Sequence, residues 1–319
     1  MYKREWGLKE MVKYIGKRIL TSILTIWVVV TLTFFLMRAM PGGPFSGEKM
    51  TAEIQANLEQ KYGLDKPVFE QYTLYMKNLL KGDLGVSMVF EGREVVDTIS
   101  NSLPASAKVG GITVIFSVIF GILLGIIAAL KAGKWPDKLC MLIATLGVTI
   151  PSFVIGAALI YVFTVQLDGL LPATGLRSWK NYIMPVIALS GSSLAFITRL
   201  TRSRMIDVLK ADYIRTAKAK GLNKRTVVFK HALRNSLIPI VTYLGPLIAG
   251  ILTGSFIVEK VFAIPGLGNE FVSSVTYRDY STVLGLVVFY CTFIIVCNLI
   301  VDILYVVIDP RIKLENAEG

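Results

Sequence analysis

Six apolar runs, each long enough to cross a bilayer, constrain this chain more than any other feature. They lie at about 19–37, 105–130, 138–166, 182–204, 236–258 and 282–308, and Ile, Leu, Val, Phe, Ala and Gly dominate each of them. About 20 such residues in a helix span the hydrocarbon core, where every backbone polar group must find a partner within the protein. The sequence therefore predicts an all-α integral membrane protein with six transmembrane helices. A hydrophobic content of 54% and a mean hydropathy of +0.61 over 319 residues agree with that. The first run continues into "RAMPGGPF" rather than into a small-residue cleavage site, so it reads as a retained helix.

Charge between the runs sets the orientation, because Lys and Arg are retained on the cytoplasmic side. Residues 1–18 carry six basic and two acidic side chains, 131–138 three and one, and 199–235 eleven and two. The alternate segments 38–104, 166–181 and 259–281 carry seven and nine, two and one, and two and three. Both termini are thus expected in the cytoplasm. The formal charge of +12 is accounted for by these loops and does not call for a nucleic-acid partner. Cys140, Cys291 and Cys297 all fall in apolar runs, without the number or spacing of a disulfide framework or a metal site, and read as packing residues.

The first external segment is long and patterned. Thr51 is placed to cap a helix that ends before Gly63, with Ile54, Leu58 and Tyr62 on one face. A second helix puts Val68, Tyr72, Tyr75, Met76 and Leu79 on one stripe and stops at Gly82, with Pro67 in its first turn. Such a module either covers the outer ends of the spans or docks an external partner. The resulting division is 1–40 (cytoplasmic N-terminus and first span), 41–104 (external helical module), 105–308 (transmembrane core, with a cytoplasmic loop at about 206–235) and 309–319 (cytoplasmic tail).

That loop is the chain's most unusual stretch, "DYIRTAKAKGLNKRTVVFKHALRN" from Asp212 to Asn235. His231 is the only histidine, so no zinc cluster, histidine pair or nucleophile with an oriented base is available. The segment "AALKAGKW" at 128–135 lacks the first Gly of a phosphate loop and has Trp after its Lys, so no nucleotide site is visible. Helical spacing of Ile214, Ala217 and Lys218 is interrupted at Gly221, and Asn223 can cap a second helix. On it, Val228, Phe229, Ala232 and Leu233 form an apolar stripe flanked by Lys224, Arg225, Lys230 and Arg234. A helix of this kind lies on an anionic membrane surface or in the groove of another protein, and periodicity does not separate the two.

The stretch "RTAKAKG" followed by "KHALRN" resembles the cytoplasmic EAA loop of ATP-binding-cassette (ABC) importer permeases, in the form used by the peptide branch. "FFLMRAMPGGPFSGE" at 34–48, "GDLGVS" at 82–87, "PSFVIG" at 151–156, "PGLGNEFVSSVTYRDYS" at 265–281 and "NLIVDILYVVIDPRI" at 298–312 are similar to the B-type permease subunits of the oligopeptide/dipeptide group. The resemblance implies the type I ABC importer transmembrane-domain fold in a bacterial plasma membrane. It implies a C-type permease partner, two cytoplasmic ATPases that bind the ATP and Mg, an external peptide-binding protein and a peptide cargo, with no cofactor or active site in this chain. It makes the loop an ATPase-coupling element whose residues are Ala217, Gly221, Leu222, Val228, Phe229, His231, Ala232 and Leu233. The "GGPF" form points to oligopeptides; dipeptide, glutathione, nickel and opine permeases share the architecture.

Asp302 is the one carboxylate deep in the sixth run, one helical turn from Asn298, and reads either as an interhelical hydrogen-bonding group or as a substrate or proton site. Pro151 either kinks the third span or is accommodated by neighbours. Gly121 and Gly125 fit close helix packing. A secondary transporter is the competing class, but the chain shows neither an internal repeat nor several midplane charges.

Overall fold

The computed structural model describes residues 8–39, 52–252 and 254–308, as backbone only at 8–15, 52–55, 238, 242, 249 and 301–308. The helices are α1 (Leu8–Ala39), α2 (Ala52–Lys61), α3 (Val68–Leu80), α4 (Val95–Leu130), α5 (Trp135–Thr149) and α6 (Ser152–Ile160), the last continuing as a π-helix over Tyr161–Gln166. They are followed by α7 (Lys180–Lys210), α8 (Asp212–Ala219), a second π-helix (Thr226–Leu233), α9 (Arg234–Ser236), α10 (Ile238–Leu252), α11 (Phe256–Val261), α12 (Leu267–Thr276) and α13 (Tyr280–Ile308). Among the described residues the only extended pairing is an isolated bridge between Val86 and Glu94.

Four helices are long and apolar enough to cross a membrane, at Gly16–Ala39, Val95–Leu130, Lys180–Lys210 and Tyr280–Ile300. Two bent pairs bring the number to six, in agreement with the six apolar runs. The third run is not one rod, however. Ile150 is extended (φ −89°, ψ 123°) and Pro151 follows at ψ 139°, so α5 and α6 meet at 103°. Proline has no N–H to donate and its ring disfavours the α region for the preceding residue. The fifth run also ends early: α10 stops at Leu252, and α11 begins after Ser255 accepts a capping bond from the Val258 N–H.

Packing divides the chain into two units, one of residues up to 102 with 270–299, the other of 103–269 with the residues from 300. In the first unit, Phe34 and Met37 of α1 pack with Tyr280, Val283 and Leu284 of α13, and Tyr72 and Tyr75 of α3 close over them. Both helices of the expected outer module are present. Lys61 ends the first, Gly63 turns at φ +66°, and Pro67 stands just before the second rather than inside its first turn. Thr51, the expected cap, lies outside the described residues, as do the side chain of Ile54 and the 309–319 tail.

In the second unit, α4 and α5 both lie close on α7. A β-carbon on Gly125 would meet the Thr198 carbonyl at 2.8 Å, and one on Gly147 would meet the Gly191 carbonyl at 2.7 Å. Only residues without side chains allow these approaches, which explains the small-residue spacing in the second run.

Candidate functional site

The end of α7 leads directly into the basic loop. Ala211 is extended (ψ 149°), and the Ile214 N–H donates to its carbonyl to start α8, which buries Ile214 and Ala217 and exposes Tyr213. The chain then reverses at Gly221, whose φ of +77° is cheap only without a β-carbon. Asn223 Oδ1 accepts from the Thr226 N–H at 2.7 Å, the expected cap. The helix it opens takes π rather than α hydrogen bonding over Thr226–Leu233. Asn235 Nδ2 donates to the Tyr213 hydroxyl at 2.8 Å, which ties the far end of this helix back to α8.

The apolar stripe is divided rather than presented whole. Val228 and Ala232 are buried in the chain's own core with Ala129, Met205, Ile214, Ala217 and Val227. His231 and Leu233 are half-buried. Gly221, Leu222 and Phe229 face outward, Phe229 with 57% of its surface exposed. Around them stand exposed Lys218, Lys220, Lys224, Arg225, Lys230 and Arg234. Tyr213, Leu222 and Phe229 are thus left as large exposed apolar side chains of a basic surface, termed its tip, with a packed core behind them.

A part-buried ion pair that sequence reading missed braces the same end. Arg202 of α7 donates from Nε to Asp137 Oδ1 at 2.6 Å and from Nη2 to Oδ2 at 2.7 Å, and the Gly133 N–H adds a third bond to Oδ2 at 2.8 Å. Asp137 also sits in the first turn of α5, where a negative charge faces the positive end of the helix dipole. With Ala129 in the core below the loop, the 131–138 connection and the 199–235 loop share one end of this unit, as their charge predicts. The visible signal was Asp137 itself, the one acid among the three basic residues of that connection.

Glu259 organises the connection between α10 and α12 of the same unit. It is 1% exposed; its Oε1 accepts from Ser106 Oγ at 2.8 Å and its Oε2 from the N–H groups of Gly268 at 2.8 Å and Asn269 at 3.1 Å. Ser106 Oγ in turn accepts from the Leu267 N–H at 2.9 Å. One carboxyl and one hydroxyl thereby satisfy the opening N–H groups of α12. Burial raises the Glu259 carboxyl above its ordinary value, against the opposing pull of those hydrogen bonds.

In the first unit Asp279 does similar work. It caps α13 through Thr282 and accepts from Ser87 Oγ and the Met88 N–H, which joins "GDLGVS" to "YRDYS". Asp302 lies on the course of α13, but its side chain is outside the described residues. Among the described residues no group of three or more His, Cys, Asp or Glu side chains is arranged to hold a metal ion.

Comparison with known proteins places this geometry. A family model described as the inner membrane component of binding-protein-dependent transport systems matches residues 121–314, and one for the N-terminal part of such components matches 11–109. The chain is 44% identical over 306 residues to the oligopeptide transport system permease protein OppB of Haemophilus influenzae, covering 95% of this chain and 100% of that protein. It is 45% identical over 307 residues to the dipeptide transport system permease protein DppB of Bacillus subtilis, covering 96% and 99%. For DppB of Lactococcus lactis the figures are 41% over 304 residues, 95% and 100%.

Proposed function

The chain belongs to the inner membrane components of binding-protein-dependent transport systems, a permease subunit of an ABC importer, and from that premise we propose that its cargo is oligopeptide. In this reading it encloses the pathway with a C-type permease, receives peptide from an external binding protein, and is driven by two cytoplasmic ATPases that carry the ATP and Mg. Both termini face the cytoplasm. The observation that carries the coupling role is the exposure of apolar Leu222 and Phe229 on the basic loop while Val228 and Ala232 are buried beneath it. A groove on an ATPase takes the tip, and the packed core and the Asp137–Arg202 pair pass its displacement to α5 and α7.

Phe229→Asp tests the coupling, because it places an unpaired carboxylate in the partner groove and leaves the chain's own core untouched. The variant is expected to insert normally and to lose transport-linked ATP hydrolysis. Wild-type stimulation in a well-inserted variant removes the tip from the mechanism.

Cargo is tested by deleting the gene and following uptake of peptides of two to about six residues. Loss of the longer peptides supports the reading. The Bacillus and Lactococcus relatives are named for dipeptide transport, so a defect confined to dipeptides favours that second reading, and normal peptide uptake with failed nickel acquisition refutes both.

A further inference from the structure

A cavity of about 250 Å³ lies in the first unit, at the C-terminal end of α1, between α1, α3 and the start of α13. Three side chains on its wall each carry a polar group without a hydrogen-bond or ion-pair partner among the described residues. The Arg38 guanidinium lies 5.5 Å from the Phe34 ring centre and 5.3 Å from that of Tyr280, and among the described residues no carboxylate pairs with it. Gln71 is 8% exposed; its Nε2 donates to the carbonyls of Leu64 at 3.1 Å and Lys66 at 2.7 Å, while its Oε1 has no partner. The buried Tyr75 hydroxyl has none either. Buried polar atoms are almost always paired, and here, among the described residues, a cation held only by aromatic faces, a free hydroxyl and a free acceptor surround one space. Asp83 also lines it, with Oδ1 accepting from the Gly85 N–H at 2.8 Å.

These groups ask for a ligand that carries an anion and a hydrogen-bond donor together. The surroundings add a third demand. Phe35 and Leu36 on α1, and Phe69, Leu74 and Leu80 on α3, are exposed, and Leu74 belongs both to this apolar surface and to the cavity wall. A ligand that satisfies all three is an amphiphile with a charged head and an apolar tail.

We propose that this cavity binds the headgroup of a phospholipid. The phosphate accepts from Arg38 and from the Tyr75 hydroxyl, a charge-assisted arrangement that basic pockets at span ends use for lipid heads. The ammonium or hydroxyl of the same headgroup donates to Gln71 Oε1, with Asp83 beside it, and the acyl chains run along the exposed apolar side chains of α1 and α3. A free peptide or inorganic phosphate matches the polar wall but leaves that apolar surface unused. The site is independent of the cargo.

The test uses the full-length chain with the subunits that co-purify, extracted in mild detergent and analysed for bound lipid by native mass spectrometry. Wild type is expected to retain a phosphatidylethanolamine molecule through delipidating washes. Arg38→Gln is expected to weaken retention about tenfold or more, the effect of losing a hydrogen bond to a charged group. Tyr75→Phe keeps the ring in the core and removes only the hydroxyl, so reduced retention there separates binding from misfolding. Added phosphatidylethanolamine is expected to raise the unfolding temperature of wild type more than diacylglycerol, which has no phosphate. Equal retention by wild type and both variants, or equal stabilisation by diacylglycerol, overturns the proposal. So does full stabilisation of lipid-free protein by inorganic phosphate or by a tripeptide.

Discussion

Glu259 and Phe229 are opposite cases at the scale of single residues. In sequence Glu259 is one of three acids in an outer connection, with nothing to separate it from Glu270 or Asp279; burial by partners from 106 and 267–269 makes it a structural cap. Glu259→Ala leaves two N–H groups and a hydroxyl without an acceptor, at about 1–3 kcal/mol for each donor left unpaired, and is expected to lower the unfolding temperature of the purified protein sharply. Glu259→Gln keeps one acceptor oxygen, turns the other into a donor as in the protonated acid, and removes the titration. Because burial holds the wild-type carboxyl above its ordinary value, folding favours its protonated form. That contribution is full below the unfolded value of about pH 4.3 and is lost as pH rises through the folded value. Stability of wild type relative to Glu259→Gln, followed by thermal unfolding from pH 4 to 8, is therefore expected to fall with rising pH; a flat difference would show that Glu259 does not titrate there. Phe229, by contrast, was legible as an apolar residue among basic ones, but its exposure was not. Val228 beside it has the same apolar character and is 5% exposed, so Val228→Asp is expected to reduce folded protein where Phe229→Asp reduces only coupling.

At the scale of elements, the span positions were legible because a run of about 20 apolar residues has few folded alternatives in a bilayer. The break inside the third run was only half legible. Pro104, Pro185 and Pro246 remain inside helices and Pro239 lies in the first turn of α10, whereas Ile150–Pro151 separates two helices. The brace between α5 and α7 was not legible, since Asp137 and Arg202 are 65 positions apart. Its energetics follow from its geometry: Arg202→Lys keeps the charge but loses the two-pronged match and is expected to destabilise, while Arg202→Ala leaves Asp137 without its cation and costs more. Unfolding of the purified protein by heat measures both. An equal effect of the two changes would show that the pair contributes charge alone, without the fork.

For the whole molecule, the orientation is checked by labelling single cysteines with an impermeant thiol reagent in cells, in a background without Cys140, Cys291 and Cys297. A cysteine at exposed Lys77 is expected to react from outside, and one at Lys224 only after the membrane is opened. A cysteine at Gln71, on the same helix, is expected to resist in both cases because that position is buried. Reaction at Lys224 in intact cells would reverse the topology. The sequence by itself determined that this chain is a membrane-spanning helical protein, where its spans lie, which loops carry the basic charge, and which family's motifs it bears, because hydropathy, charge and local motif order are properties of contiguous residues. Only the tertiary structure decided which apolar residues of the loop are anchors and which form its tip, that α5 and α6 are separate helices at 103°, and that Glu259, Asp279 and Asp137 hold their elements together. Those outcomes depend on which side chain meets which across tens or hundreds of positions, and burial and pairing at such separations leave no periodic trace in the sequence.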